Sequence, residues 1–371
     1  MCVKMLNPQE HETLIDTASG SCGFPVHSIF HVWETQLKKR GLNRSHLFTI
    51  EDKLPEQIDY VQKKVFAIDF DERAVRVGRT LNLIAGDGQT NVLHLNTLDY
   101  EHWDEKIKDE DWTDIYSEGW KKFKKMRLQK DSNRDFGFDI LMANPPFAGD
   151  IKENRILARY ELSKNAKGNP QKKVGRDVLF IERNLNFLKP GGRMAIVLPQ
   201  GRFNNSSDKY IRDFLAERCR ILAVVGLHGN VFKPHTGTKT SVLFVQKWDG
   251  ALCPRMDDYP IFFATMQEPS KDNSGDKIYV KQKDLVEWGL ADKSTKKDIS
   301  AVGVKISEPE PINYYENTPK DTAEYVLDEH DHLVVKHDLF SHTLKNGLRT
   351  PDGIAEAFME FAKKEALSFF V

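Results

Sequence analysis

The tetrapeptide Asn144-Pro145-Pro146-Phe147 combines residue types suited to chemistry, and it directly follows the apolar run Phe138 to Ala143. Consecutive prolines lack amide donors and have a fixed φ, so the chain must leave a sheet here and stay rigid. The Asn144 amide and a peptide carbonyl then lie beside the flat face of Phe147. Acceptors next to an aromatic ring suit a planar base with an exocyclic amino group. A Pro-rich turn without function is the alternative interpretation.

A second candidate site is the small-residue loop from Asp16 to Phe24, which follows the apolar run Thr13-Leu14-Ile15. A helix is predicted after it, from about Pro25 to Lys39. A strand, a small-residue loop and a helix in this order are typical of nucleotide sites in doubly wound folds, because small side chains let backbone N–H groups approach a ligand. The spacing of its glycines does not complete the dinucleotide fingerprint.

An acidic residue ends the next predicted strand, Lys64 to Ile68. At this position in nucleotide-binding folds a carboxylate accepts hydrogen bonds from both ribose hydroxyls, which is the role predicted for Asp69. Phe70 is predicted to lie against an adenine ring. Asp71 is predicted to cap the following helix.

Strands and helices alternate along the rest of this region. Further strands are predicted at Asn91 to Leu95, Arg193 to Leu198, Ile221 to Leu227 and Ser241 to Gln246, and further helices at Asp177 to Leu188 and Asp208 to Arg218. This order predicts an α/β fold with a doubly wound, mostly parallel Rossmann-like sheet, an antiparallel last strand and a smaller C-terminal extension. The carboxyl ends of its strands would bring Gly20, Asp69, Asn96 and Asn144 to one crevice.

The predicted domain organisation is a domain at 1–250 and a C-terminal extension at 251–371 that is a possible subunit contact. An insertion at about 100–137 carries Trp112, Tyr116, Trp120 and Phe123 at near-helical spacing, which predicts an amphipathic helix. A basic segment at about 152–176 shows no apolar period and is predicted to be a mobile loop. It would either close over a nucleotide or have no function.

Composition sets further bounds on the chain. Its 371 residues are 40% hydrophobic, enough for a full core, and a net charge of -1 excludes nucleic-acid binding by bulk charge. The four cysteines show no metal or redox spacing. No metal site is predicted. Without an apolar run of about 20 residues or a signal pattern, the expected location is the cytoplasm.

The tetrapeptide at the end of an apolar strand resembles the catalytic motif of amino-methyltransferases that methylate N6 of adenine in DNA. From residue 1 to about 250, and more weakly to the end, the sequence is similar to the modification subunit of a type I restriction-modification system. The resemblance implies that the Asn144 oxygen and the Pro145 carbonyl accept hydrogen bonds from the target amino group, with Pro146 completing the motif. It also implies that Phe147 stacks on a flipped adenine, with Phe232 as a second aromatic contact.

The resemblance further implies S-adenosylmethionine as the methyl donor. The family usually has Asp-Pro-Ala-Cys-Gly-Thr-Gly-Gly-Phe at the first loop; here Thr17 replaces Pro, Ser19 replaces Cys and Cys22 replaces Gly. A Cβ at Cys22 would stand where backbone normally approaches the cofactor. Asn96 replaces the Asp that binds the cofactor adenine amino group, and Asp99 is the alternative. The implied cofactor-binding residues are Asp16, Thr17, Ala18, Ser19, Gly20, Gly23, Phe24, Asp69, Phe70, Asn96 and Leu98.

The partners that the resemblance implies are double-stranded DNA with a flipped adenine and the specificity and restriction subunits of a type I complex in a prokaryote. In that family a helical domain and a cofactor-contacting segment precede this region, and Met1 to Pro8 is predicted to be the end of a helix. Two alternatives stay open: a methyltransferase for RNA bases or protein glutamine amides, and a non-catalytic scaffold that bridges DNA-recognition and nuclease subunits. A nicotinamide dehydrogenase is disfavoured by the glycine spacing.

Overall fold

The computed structural model of the chain describes residues 1–42, 53–84, 91–290, 303–304 and 325–370. The helices in these ranges are α1 (Cys2–Leu6), α2 (Gly23–Lys39), α3 (Pro55–Lys64), α4 (Glu72–Ile84), α5 (Trp103–Lys106), α6 (Glu110–Lys124), α7 (Asn154–Leu157), α8 (Arg176–Phe187), α9 (Gly201–Asn204), α10 (Lys209–Arg218), α11 (Gln282–Glu287) and α12 (Ile354–Lys364). The strands are β1 (Leu14–Asp16), β2 (Val65–Asp69), β3 (Val92–His94), β4 (Phe138–Ala143), β5 (Asp150–Ile151), β6 (Val174–Gly175), β7 (Leu188–Pro199), β8 (Cys219–Gly226), β9 (Thr240–Lys247), β10 (Phe262–Thr265), β11 (Gly303–Val304) and β12 (Tyr325–Val326).

The chain forms two compact units. The larger unit comprises residues 2–225, 240–263 and 362–371, and the smaller comprises Met1, 226–239 and 264–361. The division therefore does not fall at residue 250, where the change in composition predicted a boundary. The reason is that the chain leaves the larger unit after β8 and returns to it for β9.

The larger unit is built on an eight-stranded sheet in the order β10-β8-β9-β7-β4-β1-β2-β3. The strands from β7 to β3 in this order are parallel, and β9 runs antiparallel to β7. Central strands β1 and β4 are almost wholly buried, and near-continuous apolar runs are what parallel strands covered on both faces need. This sheet confirms the predicted fold class. The predicted antiparallel strand is β9, but it is not the last strand, because β10 follows it in the same sheet.

Strand β7 begins earlier than the sequence predicts. Lys189-Pro190-Gly191-Gly192 was expected to separate a helix from a strand starting at Arg193, but β7 starts at Leu188 and pairs with Phe138. The register then shifts before Ile140 pairs with Arg193. Gly191 has a φ of +74°, a conformation that glycine adopts easily. A bulge thus accommodates the Pro and Gly residues within the strand.

Aromatic residues from the insertion form much of the core beside the sheet. Helix α6 buries the predicted apolar face, which consists of Trp112, Tyr116, Trp120 and Phe123. The Phe123 ring centroid lies 4.7 Å from that of Phe136. The predicted amphipathic helix is therefore confirmed.

The basic segment between residues 152 and 176 has defined structure where the lack of an apolar period predicted a mobile loop. Strands β5 and β6 pair at its base, and α7 and a 3-10 turn, Glu161–Ser163, lie between them. The Glu182 carboxylate of α8 accepts hydrogen bonds from the backbone N–H groups of Glu161 and Leu162. The apolar side chains are irregularly spaced but buried, namely Ile156, Leu157, Tyr160, Leu162 and Val174.

The smaller unit has its own apolar cluster of Val280, Leu285, Val326, Val334 and Leu344. Its strands β11 and β12 pair antiparallel. None of the helices in the described ranges of either unit has the length and low polarity that crossing a bilayer demands.

Candidate active site

The loop after β1 and the corner after β4 leave the sheet side by side. Leu14 pairs with Ile140 and Ile15 with Leu141 in a parallel register, and neighbouring strands lie about 4.8 Å apart. β1 ends one residue after Ile15, and β4 ends two residues after Leu141. Strand order also reverses here: β2 and β3 lie on one side of β1, whereas β4 and β7 lie on its other side. Ligands of open α/β sheets bind at such a switch point.

The corner itself presents Asn144 on a rigid base. Asn144 and Pro146 are exposed, Pro145 is buried and Phe147 is half-buried. Within the described ranges the Asn144 side chain makes no hydrogen bond, so its oxygen is available as an acceptor. The buried strand and the two prolines hold that acceptor beside the aromatic ring.

The loop after β1 is held by hydrogen bonds from its backbone. The Ala18 N–H donates to Asp16 Oδ1 at 3.1 Å, and the Ser19 N–H donates to the Ile68 carbonyl at 3.1 Å. The Gly20 N–H donates to Asp69 Oδ2 at 2.8 Å. Bonds to β2 therefore fix the loop against the neighbouring strand.

The same loop offers groups suited to a polar ligand. The Ser19 hydroxyl is buried and has no hydrogen-bond partner among the described residues. At Gly20 and Gly23 the position that a Cβ would take has no atom of a described residue within 4 Å, apart from the adjoining backbone. Bare backbone and an orphaned donor fit a small polar ligand at this strand end.

The Cys22 side chain packs against α4, and the predicted effect of its Cβ on cofactor approach stays a prediction. Cys22 has a φ of 65° and is fully buried. Its Sγ lies 2.6 Å from the position of a Cβ on Gly78 of α4. The thiol is thus part of the packing between the loop and α4, and the glycine at position 78 makes room for it.

The carboxylate of Asp69 accepts hydrogen bonds from the loop after β1 and from the turn after β2. Besides the bond from Gly20, its Oδ1 accepts the Asp71 N–H at 2.8 Å. Phe70 between them is 71% exposed. Asp71 accepts the Ala74 N–H at 2.9 Å, which confirms it as the cap of α4.

The loop after β3 is more internally bonded than the sequence suggests. Asn96 Oδ1 accepts the Leu98 N–H at 3.1 Å, and the Asn96 carbonyl accepts Trp103 Nε1 at 2.7 Å. Asp99 accepts two hydrogen bonds from Arg155, at 2.6 and 2.8 Å. Burial raises the pKa of Asp99, but the hydrogen bonds from Arg155 and His102 outweigh burial and leave that pKa below its ordinary value. Asp99 is thus engaged with the segment after the corner.

Asp16 is the most perturbed carboxyl of this loop. Burial raises its pKa well above the ordinary value, the Ala18 N–H opposes the shift, and the Asp69 charge adds to it. Folding therefore shifts the protonation equilibrium of Asp16 toward the neutral form, relative to the unfolded chain.

Helix α8 contributes residues that the sequence analysis missed. Asn184 is fully buried, and its Oδ1 accepts the Thr17 hydroxyl at 2.6 Å. The Thr17 carbonyl accepts the Thr97 hydroxyl at 2.6 Å. The only signal in the sequence is the polar run Glu182-Arg183-Asn184, which follows the apolar run Val178 to Ile181 of the same helix.

Of the other predicted residues, Ala18 and Phe24 lie half-buried at the two ends of the first loop. Phe232 belongs to the smaller unit and is half-buried in a turn there. Its predicted contact with a base stays a prediction.

Residues 1–318 match the family model described as N-6 DNA Methylase. The Type I restriction enzyme EcoEI methylase subunit of Escherichia coli is 25% identical over 249 residues, which are 66% of this chain and 40% of that protein. The Type II restriction enzyme and methyltransferase RM.Eco57I of Escherichia coli is 24% identical over 257 residues, 62% of this chain and 24% of that protein.

The chain thus spans less than half the length of these two relatives. Among solved structures, a nuclease-deletion mutant of the Type ISP restriction-modification enzyme LlaGI, in complex with a DNA substrate mimic, is similar with a TM-score of 0.50 and 14% identity. The similarity covers 75% of this chain and 25% of that one, and it supports the fold alone. Because the family match extends over residues 1–318 of 371, this chain belongs to the N-6 DNA Methylase family.

Proposed function

We propose that this chain carries the methyl-transfer site of an S-adenosylmethionine-dependent DNA methyltransferase that acts on N6 of adenine. The observation that carries the proposal is the parallel register of β1 and β4. It puts the small-residue loop and the Asn144 corner next to each other at the carboxyl ends of these strands. Membership in the N-6 DNA Methylase family supports the same reaction.

In the proposed reaction the corner holds the target amino group. Asn144 Oδ1 and the Pro145 carbonyl accept the two N6 hydrogens of an adenine extruded from the duplex, and Phe147 stacks on its ring. Both hydrogen bonds raise the electron density at N6 and orient its lone pair. Fixed φ angles at the prolines keep the acceptors in place. Alignment, rather than a strong base, is what the transfer requires.

S-adenosylmethionine, when bound, supplies an activated methyl group on a sulfonium centre. Ser19 and the bare backbone at Gly20 and Gly23 would hold its polar end. Asp69 would accept the ribose hydroxyls: a carboxylate has about four acceptor sites, and the N–H groups of Gly20 and Asp71 use two. The proposed neighbours of the cofactor are Asp16, Thr17, Ala18, Phe24, Phe70, Asn96 and Leu98.

The turn beyond the corner is the proposed contact with DNA phosphates. Lys164, Lys167 and Lys172 are exposed there. Arg176 is exposed as well, and its guanidinium lies 3.2 Å from the Cβ position of Gly149, two residues past Phe147. Several other cations nearby lie in ion pairs, namely Arg155–Asp99, Arg159–Glu101 and Arg218–Glu161. The three exposed lysines can therefore neutralise phosphates.

The proposed site would act within a type I restriction-modification complex. The EcoEI relative is a methylase subunit of a type I restriction enzyme. We propose that this chain likewise acts as a modification subunit, with a specificity subunit and a restriction subunit as partners and duplex DNA as substrate.

Transfer of labelled methyl groups to unmethylated duplex DNA tests the proposal. Asn144→Ala should lower transfer by about a hundredfold or more, the scale for removing one hydrogen bond made at the reacting centre. Its affinity for S-adenosylmethionine, measured by calorimetry, should stay near that of the unchanged chain. Asn346→Ala, at an exposed asparagine in a turn outside the proposed site, is the matched control. Equal loss of transfer and of cofactor binding would make Asn144 a structural residue.

The same measurements separate the rival functions. A chain that gives no binding heat with S-adenosylmethionine would be the scaffold rather than the enzyme. A chain that binds the cofactor but labels only RNA or protein would belong to the other class of methyltransferase.

A further inference from the structure

Thr17 is held from two directions by buried side chains. Its hydroxyl donates to Asn184 Oδ1 at 2.6 Å, and its carbonyl accepts the Thr97 hydroxyl at 2.6 Å. All three residues are at most 3% exposed. Because both bonds are shielded from water, the Thr17 peptide cannot rotate without leaving buried polar groups unpaired.

The two anchors of Thr17 are joined to each other through α8. Arg183 precedes Asn184 and donates from Nε to the Thr97 carbonyl at 3.0 Å. The guanidinium is fully buried, donates also to the Asn133 carbonyl at 2.8 Å, and lies 4.2 Å from the Phe187 ring centroid. Adjacent residues of one helix thus fix the loop after β1 and the loop after β3.

Asn184 is also only partly satisfied. Its Nδ2 is buried and has no hydrogen-bond partner among the described residues. A pair chosen for stability alone would be apolar at both positions, since a leucine at 184 with a valine at 17 would leave no buried donor of this pair unpaired. Of the two polar atoms of the Asn184 side chain, only the oxygen has a hydrogen-bond partner among the described residues, the Thr17 hydroxyl.

We propose that Asn184 is a positioning residue for the proposed cofactor site: by accepting the Thr17 hydroxyl it sets the backbone between Asp16 and Ser19. This inference rests on the proposed function. Asn184 would not touch the cofactor; it would hold the loop in the conformation that does.

The test removes the hydrogen bond without leaving one partner orphaned. Thr17→Val with Asn184→Leu replaces both groups by apolar ones of similar shape, so the melting temperature should change little. The affinity for S-adenosylmethionine should nevertheless fall on the order of tenfold, the scale of one lost buried hydrogen bond. Hydrogen exchange of the amides at positions 17–22 should become faster. Thr17→Ser keeps the hydroxyl that donates to Asn184, so hydrogen exchange at positions 17–22 should stay as slow in this variant as in the unchanged chain.

Asn91→Ala is the matched control. Asn91 is a buried asparagine at the opposite end of β3, with Nδ2 donating to the carbonyls of Val61, Gln62 and Val65. Its loss should lower the melting temperature but not the affinity of the folded chain.

Two outcomes would overturn the inference. One is a double variant that binds the cofactor as well as the unchanged chain; the other is unchanged exchange at positions 17–22. If the unchanged chain itself fails to bind, the proposed function fails, and the exchange rates alone decide whether Asn184 orders the loop.

Discussion

The backbone N–H of Gly20 donates a 2.8 Å hydrogen bond to Asp69 Oδ2. One carboxylate thus holds the loop after β1 and offers its remaining lone pairs to the crevice. The predicted ligand residue is therefore also a structural support of the predicted cofactor loop.

Asp69→Ala should weaken S-adenosylmethionine binding more than the loss of a ribose contact alone would, because the loop loses its anchor. We expect at least about 2 kcal/mol of lost binding free energy, within the range for hydrogen bonds to a charged group. The affinity of Asp69→Asn for S-adenosylmethionine should lie between those of Asp69→Ala and the unchanged chain, since the amide oxygen can replace only one carboxylate oxygen. Asp71→Ala is the control: it removes a helix cap and costs about 1 kcal/mol of stability, with affinity unchanged. Equal affinities for the Asp69 and Asp71 variants in calorimetry would contradict this role.

The contact of Cys22 with Gly78 predicts a compensating pair. Gly78→Ala puts a Cβ 2.6 Å from Cys22 Sγ, so it should lower the melting temperature and disturb the loop. Adding Cys22→Gly removes the sulfur and suits the φ of 65° at that position. The double variant should therefore regain most of the lost stability in thermal unfolding. If Cys22→Gly instead adds to the loss caused by Gly78→Ala, the two side chains do not compete for the same space.

The strand ends were predictable because buried parallel strands leave continuous apolar runs, and β4 was predicted with the bounds that the structure has. The direction of the Cys22 thiol was not, since it depends on a glycine in another element. Asn184 was missed because its partner Thr17 lies 167 residues away in sequence. The basic segment lacks an apolar period because its order does not depend on one apolar face. Polar groups of other elements hold it instead, such as the Glu182 carboxylate, which accepts hydrogen bonds from its backbone.

Asp16 predicts a pH dependence of stability. Its pKa is raised in the folded chain from an ordinary value of 3.8, so the unfolded chain releases this proton first. This contribution to stability is full below about pH 4 and is lost as the pH rises through the folded-state pKa. Asp16→Asn keeps an acceptor for the Ala18 N–H but cannot ionise. Thermal unfolding from pH 4 to 8 should show the variant gaining stability over the unchanged chain as the pH rises; a constant difference would refute the shift.

The lysines of the basic turn predict a salt effect. Replacing Lys164, Lys167 and Lys172 by Gln should weaken binding to duplex DNA. It should also reduce the slope of log affinity against log salt by about 0.9 for each phosphate that the variant no longer neutralises. Lys209→Gln is the control, since Lys209 is already paired with Asp213 at 2.7 Å. A slope that stays the same in the triple variant would remove this turn from the DNA surface.

The most direct test of the shared site is a crystal structure of the chain with S-adenosylmethionine bound. We predict that the donor lies against Ser19, Gly20 and Asp69 with its methyl group directed toward Asn144 and the Pro145 carbonyl. A donor bound elsewhere, or one on the same loop with its methyl group directed away from the corner, would contradict it.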